Sequence, residues 1–413
     1  MKNLPSFKIL TFIPATGVAL PYIAKDVISA LQELNQQVLV LDLKDFHEDQ
    51  LRIFSSIEEA IIKYKPDFIF TLATIVLYSE LYIKYKIPYL SWFTTDPKLW
   101  LRPNSLSEYY YIFVCSKEAV SELKAQGFKN TFYLPLCTNP KIFKKLNLEN
   151  GELERYRCDI SFVGTYNRSI GFRENRDFYN KFLTPSFVQD IIKRQSENPN
   201  EQIRNVFAEA LKDKFNFQKG ISAIEKYVPN LEAIIAALEY EAMVRYRREV
   251  IDTISNFGIN LYGDSGWREI RHPKVKYRGW IDNRQDLPRL YNATKINLNL
   301  SVSSMKDALN ISSFNIPACS SFMLSNFRED LVRLFREGDE VVYFRDKKDL
   351  KEKVDYYLRN DKEREEIAKR AQRRILTQHT FVHRMEKVLR IMERFLFFLL
   401  CKSFFIKIMR LTL

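Results

Sequence analysis

Three short stretches hold residue types suited to a phosphate-bearing ligand. Ser161-Phe162-Val163-Gly164-Thr165 ends an apolar run in a glycine, and a backbone without a Cβ lets a ligand come close. Tyr246-Arg247-Arg248-Glu249 sets two cations side by side at the predicted start of a helix. Cations there oppose the helix dipole, which disfavours a purely structural role. Either Arg247 or Arg248 would suit a diphosphate that must be neutralised as it leaves; a solvated helix face is the plainer alternative. The run from Asp307 to Leu324 is rich in small polar residues, among them Asn310, Ser312 and Asn315. Loop hydroxyls and helix amides of this kind are what a nucleotide diphosphate needs, whereas an N-cap followed by an ordinary turn would explain them without a ligand.

Other positions are weaker. Asp96 follows the strand-like Tyr89-Leu90-Ser91-Trp92-Phe93, at the edge where open α/β sheets bind ligands, although Asp before Pro97 is also a common turn former. Gly17 sits in the first strand-to-helix turn but lacks the GxGxxG spacing of a dinucleotide site. His379 and His383 stand four apart on a predicted helix, without the glutamate that would complete HExxH, so no metal site is expected.

These residues need elements to hold them. Strand-like runs are predicted at 7–13, 38–43, 68–72, 88–93, 111–115 and 131–135, with helical patterns at 22–34, 55–64, 76–85 and 117–126 between some of them. After a polar stretch, 147–157, the alternation restarts with strands at 159–163, 259–262, 274–277, 296–300, 322–324 and 341–343. Continuous apolar strands alternating with helices signal parallel sheets covered on both faces. The expected organisation is an α/β chain of two doubly wound domains, 1–150 and 151–376, with a helical insert at about 168–243 and a last segment, 377–413. The insert is expected to end near Met243, and a separate helix to run from about 244 to 256.

Composition narrows the classes. The 413 residues are 46% hydrophobic and 28% charged with 11 Gly and 15 Pro, which excludes disordered and collagen-like chains. Lys+Arg exceeds Asp+Glu, 64 to 51, a net charge of +13 that implies anionic partners. Cys115, Cys137, Cys158, Cys319 and Cys401 are scattered and never CxxC, which fits a reducing cytoplasm. No apolar h-region precedes the first strand, so no secretory leader is expected.

The order of motifs resembles the CgeB-like (spore maturation protein, "glycosyl transferases group 1") branch of the GT-B glycosyltransferases. The resemblance is carried by Tyr277-Arg278-Gly279-Trp280, by Leu287 to Asn299, by Asp307 to Leu324 and by Gln378 to Arg384. In the first half Trp92 to Pro97 and Tyr133-Leu134-Pro135-Leu136 are similar to it, as is Ser161 to Gly164. The resemblance implies a GT-B fold, a nucleotide-sugar donor as co-substrate on the second domain, an acceptor on the first (a glycan, a protein or a lipid-linked molecule), and no metal or other cofactor. Related retaining enzymes carry two glutamates with seven residues between them; the matching positions here are Asp307 and Asn315, so the spacing survives while both residue types change. Asn in place of Glu forgoes a charge-assisted bond worth ~1–2 kcal/mol.

The donor is therefore expected against Gly164 and Thr165, Tyr262-Gly263-Asp264, Gly279-Trp280-Ile281 and Asp307 to Asn315, all just past predicted strands. Arg247, Arg248, Asp96 and Asp307 are the catalytic candidates. A GT-B-shaped protein that binds a sugar nucleotide or glycan without turnover is the alternative; the dispersed charge and lack of a recognition motif exclude nucleic acid as the expected partner. Residues 395–413 are apolar with Lys402, Lys407 and Arg410 and no acid. They read either as core or as a surface that docks on an anionic membrane, at its inner face, or on a second subunit.

Overall fold

The structure is a computed structural model that describes residues 4–15, 19–46, 49–72, 79–97, 101, 106–166, 183–215, 231–301 and 305–411, the last of these without side chains beyond 397. The chain divides into two compact units: 1–115 with 119–139 and 378–413, and 116–118 with 140–377. The Gly17 turn lies outside the described residues.

The first unit is built on a parallel six-stranded sheet: β1 (Lys8–Ile13), β2 (Gln37–Asp42), β3 (Phe68–Leu72), β4 (Tyr89–Phe93), β5 (Tyr110–Val114) and β6 (Thr131–Tyr133), in the order β2-β1-β3-β4-β5-β6. Every residue of β3, β4 and β5 is buried, as their unbroken apolar sequences require of strands covered on both faces. The final helix, Phe381–Leu411, returns to this unit and packs on helix Leu20–Glu33. Phe381 meets Trp92 edge-on at 6.2 Å and Phe395 meets Tyr111 at 4.7 Å, so the first residue of the apolar tail is part of the packing here, whereas Phe397 is 69% exposed.

The second unit holds β7 (Cys158–Val163), β8 (Ile259–Tyr262), β9 (Val275–Tyr277), β10 (Thr294–Asn299), β11 (Met323–Asn326) and β12 (Val342–Phe344), all parallel, in the order β12-β11-β10-β7-β8-β9. The chain starts in the middle at β7, winds outward through β8 and β9, then crosses back to β10 and winds the other way. The loops after β7 and β10 therefore diverge, and open sheets of this order bind ligands in the crevice between such loops. The α/β expectation of two doubly wound sheets holds.

Three expectations fail locally. The insert does not end at Met243: a single helix runs Leu231–Ile254. Nothing between 231 and 254 is Gly or Pro, so no residue breaks it. Its first half buries Leu231, Ile234 and Leu238 against helices Pro185–Glu197 and Ile203–Phe215, its second half Tyr246, Val250 and Ile251 in the core of the sheet. Arg247 and Arg248 thus lie well inside a long helix, and the argument from a helix start lapses. His379 precedes helix Phe381–Leu411, in which His383 lies, so the two do not share a helix face. Instead the Arg384 guanidinium reaches His379 Nδ1 at 2.9 Å, while the Thr380 hydroxyl pairs with His383 Nδ1 at 2.7 Å. Helices Asn150–Tyr156 and Asp286–Ala293 were not expected, being short and polar.

Candidate functional site

The ends of β7, β8 and β9 meet in three glycines. Gly164 N–H donates to Tyr262 O (3.1 Å), and Gly263 N–H donates to Gly279 O (2.9 Å). A Cβ on Gly263 would sit 2.1 Å from Gly164 O, and its φ of +140° is strained for any other residue. Only glycine fits there. Gly279 has φ +88° but open space around it, and beside it Trp280 is 62% exposed while Ile281 is buried. From below, fully buried Trp267 donates Nε1–H to Gly164 O at 2.8 Å. Asp264 fixes the same corner, accepting from Tyr166 N–H (2.7 Å) and Gly266 N–H (2.9 Å).

Arg247 closes this corner. Its Nη1 donates to the Thr165 carbonyl and, at 3.2 Å, to the Thr165 hydroxyl, and its guanidinium lies 5.8 Å over the Phe162 ring. Burial pushes its pKa down to about 10, against the opposing pull of Tyr240 and Asp264, so it stays charged at neutral pH. Its Nε has no hydrogen-bond partner among the described residues. Arg248, next in sequence, points to a more open side, 3.4 Å from the Tyr166 hydroxyl and 3.6 Å from Asp252.

The ends of β10 and β11 are different. Asn299 donates to the hydroxyls of Ser313 (2.9 Å) and Ser325 (3.3 Å), and accepts from Asn310 Nδ2 (2.9 Å). Asn310 Oδ1 in turn accepts from Ser313 N–H at 3.1 Å, which anchors the start of helix Ser312–Ala318. Asp307 is 2% exposed, and its Oδ2 takes a hydrogen bond from Arg333 at 2.9 Å. Arg333 is shared with buried Asp330 (3.0 Å). Asn315 is 4% exposed, in the interior of its short helix, and Ser312 keeps contact with the Tyr291 hydroxyl at 3.4 Å.

The second unit therefore brings together Gly164, Thr165, Tyr262, Gly263, Asp264, Gly279 and Arg247 at one end, and Asp307, Asn310 and Ser312 at the other. Asp96, half-buried just past β4, belongs to the first unit. Several participants escaped the sequence reading: Trp267, Asn299, Ser301, Asn326 and Arg328. The alternation Asn297-Leu298-Asn299 inside an otherwise buried strand was the available signal for the polar network. Among the described residues no three His, Cys, Asp or Glu side chains gather as a metal site.

Residues 245–390 match the family model described as "Glycosyl transferase-like". No curated protein sequence matches the chain. Among solved structures, Anabaena HepE in complex with UDP and glucose is similar at 11% identity and a TM-score of 0.57, over 94% of this chain and 100% of that one. A glycosyltransferase from Rickettsia africae gives 13% and 0.54 over 95% and 99%, and sucrose-phosphate synthase from Thermosynechococcus elongatus gives 12% and 0.52 over 94% and 99%. Identities this low carry the fold alone, so the conclusion has two parts: the chain has the GT-B fold, and its segment 245–390 is similar to the glycosyl transferase-like family.

Proposed function

We propose that this chain is a glycosyltransferase that takes a sugar from a nucleotide-sugar donor and passes it to a glycan, protein or lipid-linked acceptor. One observation carries the reading: at the loops after β7 and β8, in a sheet whose winding reverses at β7, the charged Arg247 lies beside Gly164 and Thr165 with an Nε that has no hydrogen-bond partner among the described residues. The open space at Gly279 lets a diphosphate approach, and Arg247 offsets the charge that builds on it as the glycosidic bond breaks. The reading needs no metal at that position, since the guanidinium supplies the positive charge. UDP-glucose is the first donor to try, because the Anabaena HepE complex holds UDP and glucose. The test is release of nucleoside diphosphate from a donor panel. Release that depends on an added acceptor and falls with Arg247→Ala supports transfer. Tight donor binding with no release supports the second reading, a binding protein without turnover, which buried, ion-paired Asp307 and buried Asn315 favour.

The acceptor side is assigned to the first unit, with Asp96 as an orienting group or base. The reading also puts the protein in the cytoplasm, with segment 395–413 at the inner face of a membrane. Support comes from Lys402, Lys407 and Arg410 without a nearby acid, and from exposed Phe397. No helix among the described residues is long and apolar enough to cross a membrane. Deleting 396–413 should abolish flotation with anionic liposomes and leave the fold intact; unfolding of the truncated chain would assign the segment to the core, and loss of a dimer would assign it to a second subunit.

A further inference from the structure

Arg328 stands just past β11 and is 1% exposed. Buried arginines ordinarily face a carboxylate. This one donates Nε–H to Ser301 O (2.8 Å) and Nη1–H to Lys306 O (2.9 Å), so a single rigid fork spans two carbonyls of the loop that follows β10. Its Nη2 has no hydrogen-bond partner among the described residues.

The neighbours extend the clamp. Asn326 exchanges two bonds with Ser301, accepting from its N–H at 2.8 Å and donating to its carbonyl at 3.1 Å. Tyr246, on helix Leu231–Ile254, shares one buried core cluster with Leu300, just past β10, and Leu324, in β11. The residue after Tyr246 is Arg247, whose guanidinium holds the loop after β7 through Thr165. One buried cluster thus joins the β10 loop, which leads into Asp307 and Asn310, to the helix that carries Arg247.

We propose that Arg328 is the positioning residue of the donor site, fixing the β10 loop to the end of β11, which shares a core with helix Leu231–Ile254, so that the glycine end and the asparagine end keep one mutual geometry. The proposal rests on the donor reading above. A methionine or leucine of similar volume would avoid the desolvation of a buried charge, which burial expresses by pushing the Arg328 pKa down to about 10, against the pull of Tyr246, Glu239 and Asp307. Hydrophobic packing alone does not account for an arginine; bridging two carbonyls five residues apart does.

Arg328→Lys keeps the charge and loses the fork, and Arg328→Met keeps the bulk and loses both. Hydrogen exchange on the full-length protein without ligand should rise ~10-fold or more at amides 305–313 in Arg328→Lys, with β12 and helix Lys347–Arg359 unchanged. With the donor that wild type turns over, kcat should fall ~30-fold while KM moves less than ~3-fold, since misplacing a positioned loop affects the reacting geometry more than the diphosphate contacts at Arg247. Unchanged exchange at 305–313, or a wild-type kcat, overturns the proposal. So does exchange that rises equally across β10, β11 and β12, which marks a plain core residue. If Arg328→Met does not fold, Arg328→Lys decides. If wild type turns over no nucleotide sugar, the donor reading falls while the exchange measurement still decides whether Arg328 holds the loop.

Discussion

The two ends of the candidate site solve opposite problems. At β7–β9 the chain removes side chains: at Gly164 and Gly263 so that the loops can pack on one another, at Gly279 with open space beside it, while the polar side chains there, Asp264 and Arg247, hold the loops from the side. At β10–β11 the chain adds polar side chains and then commits them to one another, Asn299 to Ser313 and Ser325, Asn310 to Asn299 and Ser313, Asp307 to Arg333. The first end turns on backbone and loop packing. The second commits most of its polar side chains to one another, with Asp307 Oδ1 and Arg328 Nη2 left without a hydrogen-bond partner among the described residues.

That contrast can be broken by substitution. The largest effect is expected at Gly263. Gly263→Ala puts a Cβ 2.1 Å from the Gly164 carbonyl, a backbone atom that cannot swing away. Unfolding in urea should show a loss of roughly 3 kcal/mol or more. A stability within error of wild type would mean that the glycine corner is looser than described.

Next comes Arg247→Ala, which should cut turnover by ~100-fold or more, as removal of a positioned electrostatic donor does. Arg248→Ala should cost much less, since Arg248 is half-exposed and faces Tyr166 and Asp252. Steady-state kinetics of both variants separates the neighbours; the reverse order would move the charge role to Arg248.

Asn310→Ala should lose ~1–3 kcal/mol of stability, because it leaves the side-chain oxygen of buried Asn299 without a partner. Activity lost at full stability would make Asn310 a ligand contact instead of framework. The smallest effect is expected from Asn315→Ala on donor affinity. With Asn315 4% exposed, a change within ~3-fold fits a framework residue. A loss of tenfold or more would restore the ribose role that its spacing from Asp307 suggests.

Much of the frame was legible in the sequence because buried parallel strands are written as mostly apolar runs: Phe68-Ile69-Phe70-Thr71-Leu72 and Tyr110-Tyr111-Ile112-Phe113-Val114 could hardly be anything else. The glycine corner was legible too, since Gly164, Gly263 and Gly279 each stand just past a strand-like run. What misled was the helix Leu231–Ile254. Its two halves serve two cores, so its apolar stripe changes partner near Met243, and a change of partner looks like a break when only periodicity is read. The Asp307–Arg333 ion pair was hidden for another reason. Arg333, its partner, is 26 residues away, and only the parallel pairing of β10 with β11 brings the two loops together. Arg328 was invisible on the same ground, because its contacts are to main-chain carbonyls, which leave no trace in side-chain identity.

The central claim is that a nucleotide sugar binds where Arg247 adjoins the glycine corner. A thermal-shift titration of the full-length protein with UDP-, GDP-, ADP- and CMP-sugars tests it directly, because a ligand that binds only the folded state stabilises it by roughly 2.7 kcal/mol at a hundred times its Kd. One base should raise Tm by several degrees, UDP first among them, and Arg247→Ala should remove most of that rise. A flat response to all four donors, or an undiminished rise in Arg247→Ala, would contradict the account.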